Sequence, residues 1–228
     1  MASPNLNKQI TAVFLTEDGL KRHHALCELA ALRGVRAMEA FDAIVALLDH
    51  SKVKIRRRAG SALVKFPRQV ARRMDMVIKH LRQNSNPWVR LSCAISLMKI
   101  RATAVTKGYR HALDDSSEKV VQVACWQLGC RGGAENTRLL RRTLNHSSWH
   151  IRLAACKALI VQGMADRRVV ETLEAMSRGP EAGIYDAECD DAQKIIGIIQ
   201  KSDKIPHFET WGKLSTILEQ ARRQSDPD

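Results

Sequence analysis

One phrase occurs twice in this chain, 62 positions apart. Residues 85–97 read SNPWVRLSCAISL, and residues 147–159 read SSWHIRLAACKAL. In both stretches a valine or isoleucine is followed by arginine and leucine, and small residues lie between this leucine and the next one. A phrase that recurs in this way is typical of repeat proteins, in which one structural unit is stacked several times.

Aligning the chain on the β-branched residue of the phrase gives four copies. The anchors Ile55, Val89, Val121 and Ile151 are separated by 34, 32 and 30 residues. A small residue follows each anchor after four positions, and leucine follows after eight, except that the third copy has Gly129 there. Positions 0, 4, 7 and 8 lie on one face of an α-helix, whereas a strand would show a period of two. The phrase therefore predicts a helix with a buried face.

Serine stands four residues before each anchor. Because a serine hydroxyl accepts a hydrogen bond from an otherwise unpaired N–H group at a helix start, we predict that these serines are N-caps. They are Ser51, Ser85, Ser117 and Ser147. Arginine or glutamine directly follows each anchor, and a fainter first copy, KRHHALCEL, has arginine in the same slot. The residues of this slot are Arg22, Arg56, Arg90, Gln122 and Arg152.

A second apolar-periodic stretch precedes each phrase, so each unit contains two helices. The chain is also only 4% aromatic, and it is rich in alanine, leucine and arginine, which favours helices over strands. We predict an all-α protein, a right-handed α-solenoid of about five to six helix pairs over residues 17–200. Residues 1–16 are expected to form an N-terminal segment, and residues 201–228 a linker with a C-terminal capping helix.

The turns LLDHSKVKIRRRAGSAL and LNHSSWHIRLAACKAL resemble those of HEAT repeats, particularly the short HEAT-like repeats of phycobilisome-lyase-type proteins. The resemblance covers residues from about 20 to about 200. In HEAT repeats the arginine typically pairs with an acidic or amide residue in a neighbouring turn. The resemblance thus implies that Asp49, Asp115 and Asn145 are such partners, and that Gln122 interrupts the series.

The last copy differs most from the others, as expected of a terminal repeat. Its core slots are assigned to Ala192, Ile195 and Ile196. Just before them lies an acidic stretch without a basic residue, which we interpret as a solvated or partner-facing end. Its acidic residues are Glu181, Asp186, Glu188, Asp190 and Asp191.

The second helix of each unit is expected to line the concave face with positions 3, 6 and 10 after its anchor. Each copy places at least one cation at these positions, which suggests a basic track. The candidate partner-binding residues are Arg58, Lys65, Lys99, Arg131 and Lys157. Residues 36–110 contain 17 lysines and arginines against four acidic residues, a net charge of +13 that equals the net charge of the whole chain. Such a block attracts anionic partners, with an effect that salt weakens.

Two tryptophans and six cysteines also invite functional hypotheses. Trp88 and Trp149 occupy different positions relative to their anchors, and we interpret both as packing between repeats rather than as ligand contacts. The cysteines include no CxxC pair, so the sequence favours neither a zinc site nor a disulfide framework, and we interpret most cysteines as small core residues. We expect no metal and no cofactor.

Three classes of function are compatible with this pattern. The favoured hypothesis is a non-enzymatic scaffold or adaptor that binds an acidic protein partner through the basic groove. The alternative is sequence-nonspecific binding of nucleic acid through its phosphates. An enzyme such as a HEAT-like DNA-alkyl glycosylase or a bilin lyase is disfavoured, because the groove positions contain no acidic residue and the sequence shows no catalytic set. We expect a cytoplasmic or nuclear protein without a membrane span, either monomeric or part of a larger complex.

Overall fold

The computed structural model of the chain describes residues 4–178, 192–197 and 199. Throughout these residues the regular structure is helical, so the predicted all-α class is confirmed. Residues 192–197 are also helical. The other helices are α1 (Pro4–Leu15), α2 (Gly19–Ala31), α3 (Gly34–Ala46), α4 (Val53–Ala62), α5 (Pro67–Arg72), α6 (Met74–Gln83), α7 (Pro87–Ser96), α8 (Thr103–Ala112), α9 (Glu118–Arg131), α10 (Ala134–Thr143), α11 (Trp149–Val161) and α12 (Arg167–Ser177), with 3-10 turns at Leu47–Asp49 and Leu63–Lys65.

The helices follow one another as pairs. The pairs are α1 with α2, α3 with α4, α6 with α7, α8 with α9, and α10 with α11, while the short helix α5 precedes α6. The predicted start of the array at residue 17 falls in the turn between α1 and α2, and the domain boundaries stay a prediction. The handedness of the array also stays a prediction.

The chain divides into two compact units, Met1–Val123 and Ala124–Asp228. Inside the first unit, second helices pack on second helices, as α4 does on α7. First helices pack on first helices in the same way, α1 on α3 and α6 on α8. Inside the second unit, α11 packs against both α10 and α12. In the first unit α6 therefore packs against α7 of its own pair and against α8 of the next pair.

The predicted anchors form the core of these contacts. Ile55, Val89 and Ile151 are all buried, and so are the small and leucine positions that follow each of them. Of the three residues assigned to core slots of the last copy, Ala192 and Ile195 are buried, whereas Ile196 is only half-buried. The period of 3.6 residues thus identified the buried face correctly.

The register of the third copy differs from the prediction by one residue. Helices α4, α7 and α11 each begin two residues before their anchor, and α9 begins two residues before Val120 rather than Val121. With Val120 as anchor, Leu128 occupies the leucine position, which the alignment had given to Gly129, and both Val120 and Leu128 are fully buried. The slot after the anchor then holds Val121, so the predicted role of Gln122 is wrong.

A side-chain acceptor five residues before each anchor fixes the turn between the helices. His50 Nδ1 accepts a hydrogen bond from the N–H group of Lys52 at 3.0 Å, and Asn84 Oδ1 accepts from Asn86 at 2.9 Å. Asp115 Oδ1 and His146 Nδ1 accept from the residue two positions later in the same manner. Asp115 is five residues before Val120, which independently supports the corrected register.

The predicted serine caps lie too early in the chain. The N-caps of α4, α7 and α11 are Lys52, Asn86 and Ser148, each one residue after the predicted serine. Among these three, Asn86 caps with its side chain, since its Oδ1 accepts from the N–H group of Trp88 at 3.0 Å. The acceptor in the preceding turn holds the N–H group of the residue that becomes the cap, and this sets the helix start. Ser117 directly precedes α9.

The arginine slot has one shared structural role. Arg56, Arg90 and Arg152 donate from Nη1 to the backbone oxygen six residues earlier, at 2.7, 2.8 and 2.9 Å. Arg22 donates in the same way to Thr16 O at 2.9 Å, which confirms the faint first copy. The slot arginine therefore closes the turn of its own helix pair by satisfying a carbonyl group.

The implied pairing with a neighbouring turn is confirmed for Asp115. Arg90 donates to both carboxylate oxygens of Asp115, at 2.7 and 2.8 Å. The pairing is wrong for the other two residues, because Asp49 Oδ1 accepts from Asn84 Nδ2 and Asn145 Oδ1 accepts from Arg168 Nη2. The donor to Asp49 is thus the amide of Asn84, and the donor to Asn145 is Arg168, which does not belong to the arginine slot.

The acidic stretch at residues 181–191 and the capping helix predicted within residues 201–228 lie outside the described residues. None of the helices in the described ranges is both long and apolar enough to span a bilayer.

Candidate functional site

The second helices of the first unit border a basic depression of about 740 Å³. Its walls come from α2 and α4, and it also contains the apolar side chains of Leu26, Val53 and Ala62. No acidic residue lines it. The cations that line it are Arg22, Lys54, Arg57, Arg58 and Lys65. The sequence had placed Arg58 and Lys65 on this face.

Arg58 holds the turn between α1 and α2. Its Nη1 donates to Phe14 O at 2.7 Å and to Thr16 O at 3.1 Å, and its Nη2 lies 3.2 Å from Glu17 Oε2. The Arg58 side chain is only 15% exposed. Arg58 therefore has a structural task that the sequence did not indicate, and it presents little of its charge to solvent.

A carboxylate already occupies the edge of the depression. Glu17 Oε2 accepts a hydrogen bond from Lys54 Nζ at 2.5 Å in addition to its contact with Arg58. These bonds lower the pKa of Glu17, the bond from Lys54 contributing most. The Glu17 side chain is 72% exposed, so these cations hold a carboxylate at a position that solvent reaches.

Lys65 and Lys99 are the exposed cations of the predicted track in this unit. Lys65 follows α4 and its Nζ lies 4.0 Å from Cys27 Sγ on α2. Lys99 follows α7 at the equivalent repeat position, ten residues after its anchor. Ile95 on α7, four residues before Lys99, is 39% exposed and presents apolar surface.

Trp88 connects three successive pairs. The guanidinium carbon of Arg57 lies 4.6 Å from the centre of the Trp88 ring, and Lys119 Nζ lies 5.1 Å from it. Such cation–π contacts are favourable, although exposure limits them. The predicted packing role is therefore present at Trp88, but the ring is still 44% exposed. Trp149, in contrast, is buried as predicted.

Arg131 and Lys157 belong to the second unit. The corrected register gives position 10 of the third copy to Cys130, so Arg131 is no longer equivalent to Lys65 and Lys99. Arg131 donates to the side-chain and backbone oxygens of Gln127 on its own helix. Lys157 lies half-buried on α11. The role of both residues in partner binding stays a prediction.

Basic side chains also line depressions that the sequence argument did not find. Lys79, Arg82 and Lys107 border one of about 540 Å³ between the first helices α6 and α8, together with Asp75. Another depression, of about 420 Å³, lies beside the loop after α2, and Arg33 is one of its lining residues. The predicted basic track involves the second helices alone. Basic residues spaced three or four apart on the first helices are the sequence signal for these further depressions.

The cysteines of the core are inert thiols. Burial raises the pKa of Cys125 and of Cys156 to about 12, and it raises the pKa of Cys93 as well. Cys27 is exposed. Within the described residues no group of three or more histidine, cysteine or acidic side chains is placed to hold a metal ion.

Comparison with known proteins supports a repeat architecture. Residues 106–188 match the family described as HEAT repeats. The comparison with curated proteins finds no match.

Among solved structures, an engineered protein aligns with a TM-score of 0.46 and 16% identity, covering 87% of this chain and 97% of its own. A designed armadillo repeat protein in complex with the peptide (KR)4 aligns with a TM-score of 0.45 and 15% identity, covering 82% and 98%. Human deoxyhypusine hydroxylase aligns with a TM-score of 0.38 and 14% identity, covering 85% and 98%. The helix pairs with their arginine-closed turns agree with this match, so the described residues have an all-helical fold and residues 106–188 are similar to HEAT repeats.

Proposed function

We propose that this protein is a non-enzymatic adaptor that binds an acidic segment of a partner protein on the second helices of its first unit. The observation that carries the proposal is the depression of about 740 Å³, which five cations and no acidic residue line. A carboxylate-rich segment complements this charge and is steered toward it from a distance. The short HEAT-like subtype of phycobilisome-lyase-type proteins is the repeat form that we propose for the units.

The position of Glu17 supports the choice of a carboxylate ligand. Lys54 and Arg58 hold its carboxylate at the edge of the depression, with Oε2 at 2.5 Å from Lys54 Nζ. An acidic side chain of a partner has the same chemistry and would contact Lys65, which lines the same depression. Lys65 is exposed and has no acidic partner within the described residues. Trp88 and Ile95 offer apolar area for residues between the acidic ones.

A short, fluorescently labelled peptide of aspartate, glutamate and leucine tests the proposal by anisotropy. The double variant Lys65→Glu with Lys99→Glu should weaken binding about tenfold or more, because like charges across an interface are strongly unfavourable. The control Lys79→Glu with Lys107→Glu changes the net charge equally on the first helices and should alter affinity by no more than about threefold. Equal weakening by both pairs would contradict a localised site.

Nucleic acid is the second candidate, because basic residues are not confined to the second helices. Lys79, Arg82 and Lys107 line a depression on the first helices, and a polyanion can contact cations on several sides. Titrating random duplex DNA between roughly 50 and 200 mM salt distinguishes the candidates. Nucleic acid would be favoured over an acidic peptide if affinity for DNA decreased steeply with rising salt, and if both charge-reversal pairs reduced this salt dependence equally.

A further inference from the structure

A depression in the second unit is lined by arginines, and none of its lining residues belongs to the proposed peptide site. It has a volume of about 850 Å³ and is bordered by the loops that follow α9 and α11 and by one side of α10. No acidic residue lines it. Its cations are Arg131, Arg138, Arg141, Arg142 and Arg168. Its size falls within the range of small-molecule sites.

The walls of this depression are fixed by polar contacts. Gln162, at the end of α11, donates from Nε2 to Leu128 O at 3.1 Å, and its Oε1 accepts from Thr137 Oγ1 at 2.5 Å. Gly133 O lies 3.1 Å from the same hydroxyl, so the two acceptors share its single hydrogen. These bonds tie the loop after α9 to the loop after α11 through one side chain of α10. The site is therefore preorganised, which lowers the entropic cost of binding a ligand.

Both loops depend on backbone conformations that favour glycine. Gly133 has a φ of 94° and Gly163 a φ of 75°, and a Cβ atom at either position would meet nothing within 4 Å. The glycines are thus required by the turn and not by close packing. They leave the mouth of the depression open.

The arginines of α10 concentrate positive charge on one side of that helix. Arg141 and Arg142 lie three and four residues after Arg138, so each is a neighbour of Arg138 on the helix surface, and like charges at these spacings repel. Asp166 offsets one of them, since its Oδ2 accepts from Arg141 Nη2 at 2.5 Å. Arg168 donates to the neutral amide of Asn145, which leaves its charge uncompensated by that bond. Arg138 and Arg168 therefore contribute positive charge at the exposed side of this site.

We propose that this depression binds a small ligand that carries two or more phosphate groups. Guanidinium groups bind phosphate oxygens through paired hydrogen bonds, and several of them around one cavity match adjacent phosphates better than a single carboxylate. Arg138 and Arg168 are both exposed at its rim and enter from different helices, α10 and α12. A ligand with adjacent phosphates bridges them. The chemistry fits a nucleotide, an inositol polyphosphate or a free polyphosphate.

Isothermal titration calorimetry of the full chain with sodium tripolyphosphate, at constant ionic strength, tests this site. Saturable binding of one ligand per chain is expected. The double variant Arg138→Gln with Arg168→Gln should weaken it about tenfold or more, because hydrogen bonds to charged groups are strong. Glutamine keeps a donor for Asn145, and both positions are exposed, so circular dichroism should show an unchanged fold.

The matched control removes two charges elsewhere on first helices. Lys79→Gln with Lys107→Gln should leave the affinity for tripolyphosphate within about twofold of the unaltered protein. Parallel titrations with ATP and an inositol polyphosphate identify the source of the phosphates by their relative affinities. The proposal is overturned if none of the three ligands saturates a single site, or if the control pair weakens binding as much as the arginine pair does. Neither result bears on the peptide site of the first unit.

Discussion

Arginine closes the inter-helix turn in several copies, but at one residue it also forms a buried ion pair. The side chains of Arg90 and Asp115 are 10% and 8% exposed, and Asp115 also accepts the N–H group of Ser117. Arg56 fills the same slot, yet it bonds only carbonyl oxygens of its own turn within the described part of the chain. The slot arginine thus forms an ion pair in one copy and only hydrogen bonds to carbonyl groups in another, so its contribution to stability is expected to differ between them.

The comparison of these two arginines yields a prediction. Arg90→Met should lower the free energy of unfolding by about 3 kcal/mol or more, because it leaves a buried carboxylate without its partner. Arg56→Met should cost about 1–2 kcal/mol, the cost of neutral-acceptor hydrogen bonds. Urea denaturation monitored by circular dichroism measures both. An equal loss in the two variants would mean that the pair with Asp115 adds nothing to the closure of the turn.

His80 makes stability depend on pH. Burial lowers its pKa from the ordinary value of 6.5, against the opposing effect of Asp49, so folding favours the neutral form of its imidazole. Below that value the unfolded chain binds a proton that the folded protein does not, and the free energy of unfolding decreases as the pH falls. Urea denaturation between about pH 7 and about pH 5 should therefore show a smaller decrease for His80→Gln than for the unaltered protein. Parallel pH profiles would contradict this assignment.

The sequence predicted the helices and their buried faces, but it did not predict the register of every helix. Val120 and Val121 are adjacent and both β-branched, so periodicity alone did not decide which is the anchor. Requiring a large apolar residue eight positions later would have selected Val120, because Leu128 fills that place. The helix starts were missed for a different reason: a side chain in the preceding turn, rather than the serine itself, determines which residue becomes the cap.

The close approach of α9 and α11 explains why glycine occupies position 129. A Cβ atom there would lie 2.9 Å from Cα, Cβ and O of Ala158, so α9 and α11 approach too closely for a side chain. Gly129→Ala should therefore destabilise the protein by about 1–3 kcal/mol, despite the better helix propensity of alanine. Gly108→Ala is the matched control, since its Cβ would meet Ile78 Cγ2 at an ordinary 3.5 Å, and it should stabilise by up to about 1 kcal/mol. Thermal unfolding should shift in opposite directions; a shared direction would refute the close approach.

For the whole molecule, the sequence predicted the charge surplus but not its distribution. The block at residues 36–110 was visible by counting, whereas the structural use of Arg58 and the basic first helices were not. Both depend on which residues the turns bring together, and a count of charges does not contain that information. Among the predicted partner-binding residues of the first unit, Arg58 is bonded to the turn between α1 and α2, whereas Lys65 and Lys99 are exposed.

This difference predicts how the proposed peptide site responds kinetically. Exposed charges such as Lys65 and Lys99 steer the encounter, so Lys65→Gln with Lys99→Gln should mainly lower the association rate constant and its salt dependence. Trp88→Ala removes a half-exposed ring that Arg57 and Lys119 hold in place, so it should mainly raise the dissociation rate constant, by about threefold to tenfold. Stopped-flow anisotropy with the acidic peptide separates the two constants. If Trp88→Ala changed only association, the tryptophan would serve to position Arg57 rather than to contact the partner, and the apolar part of the proposed site would have to lie elsewhere.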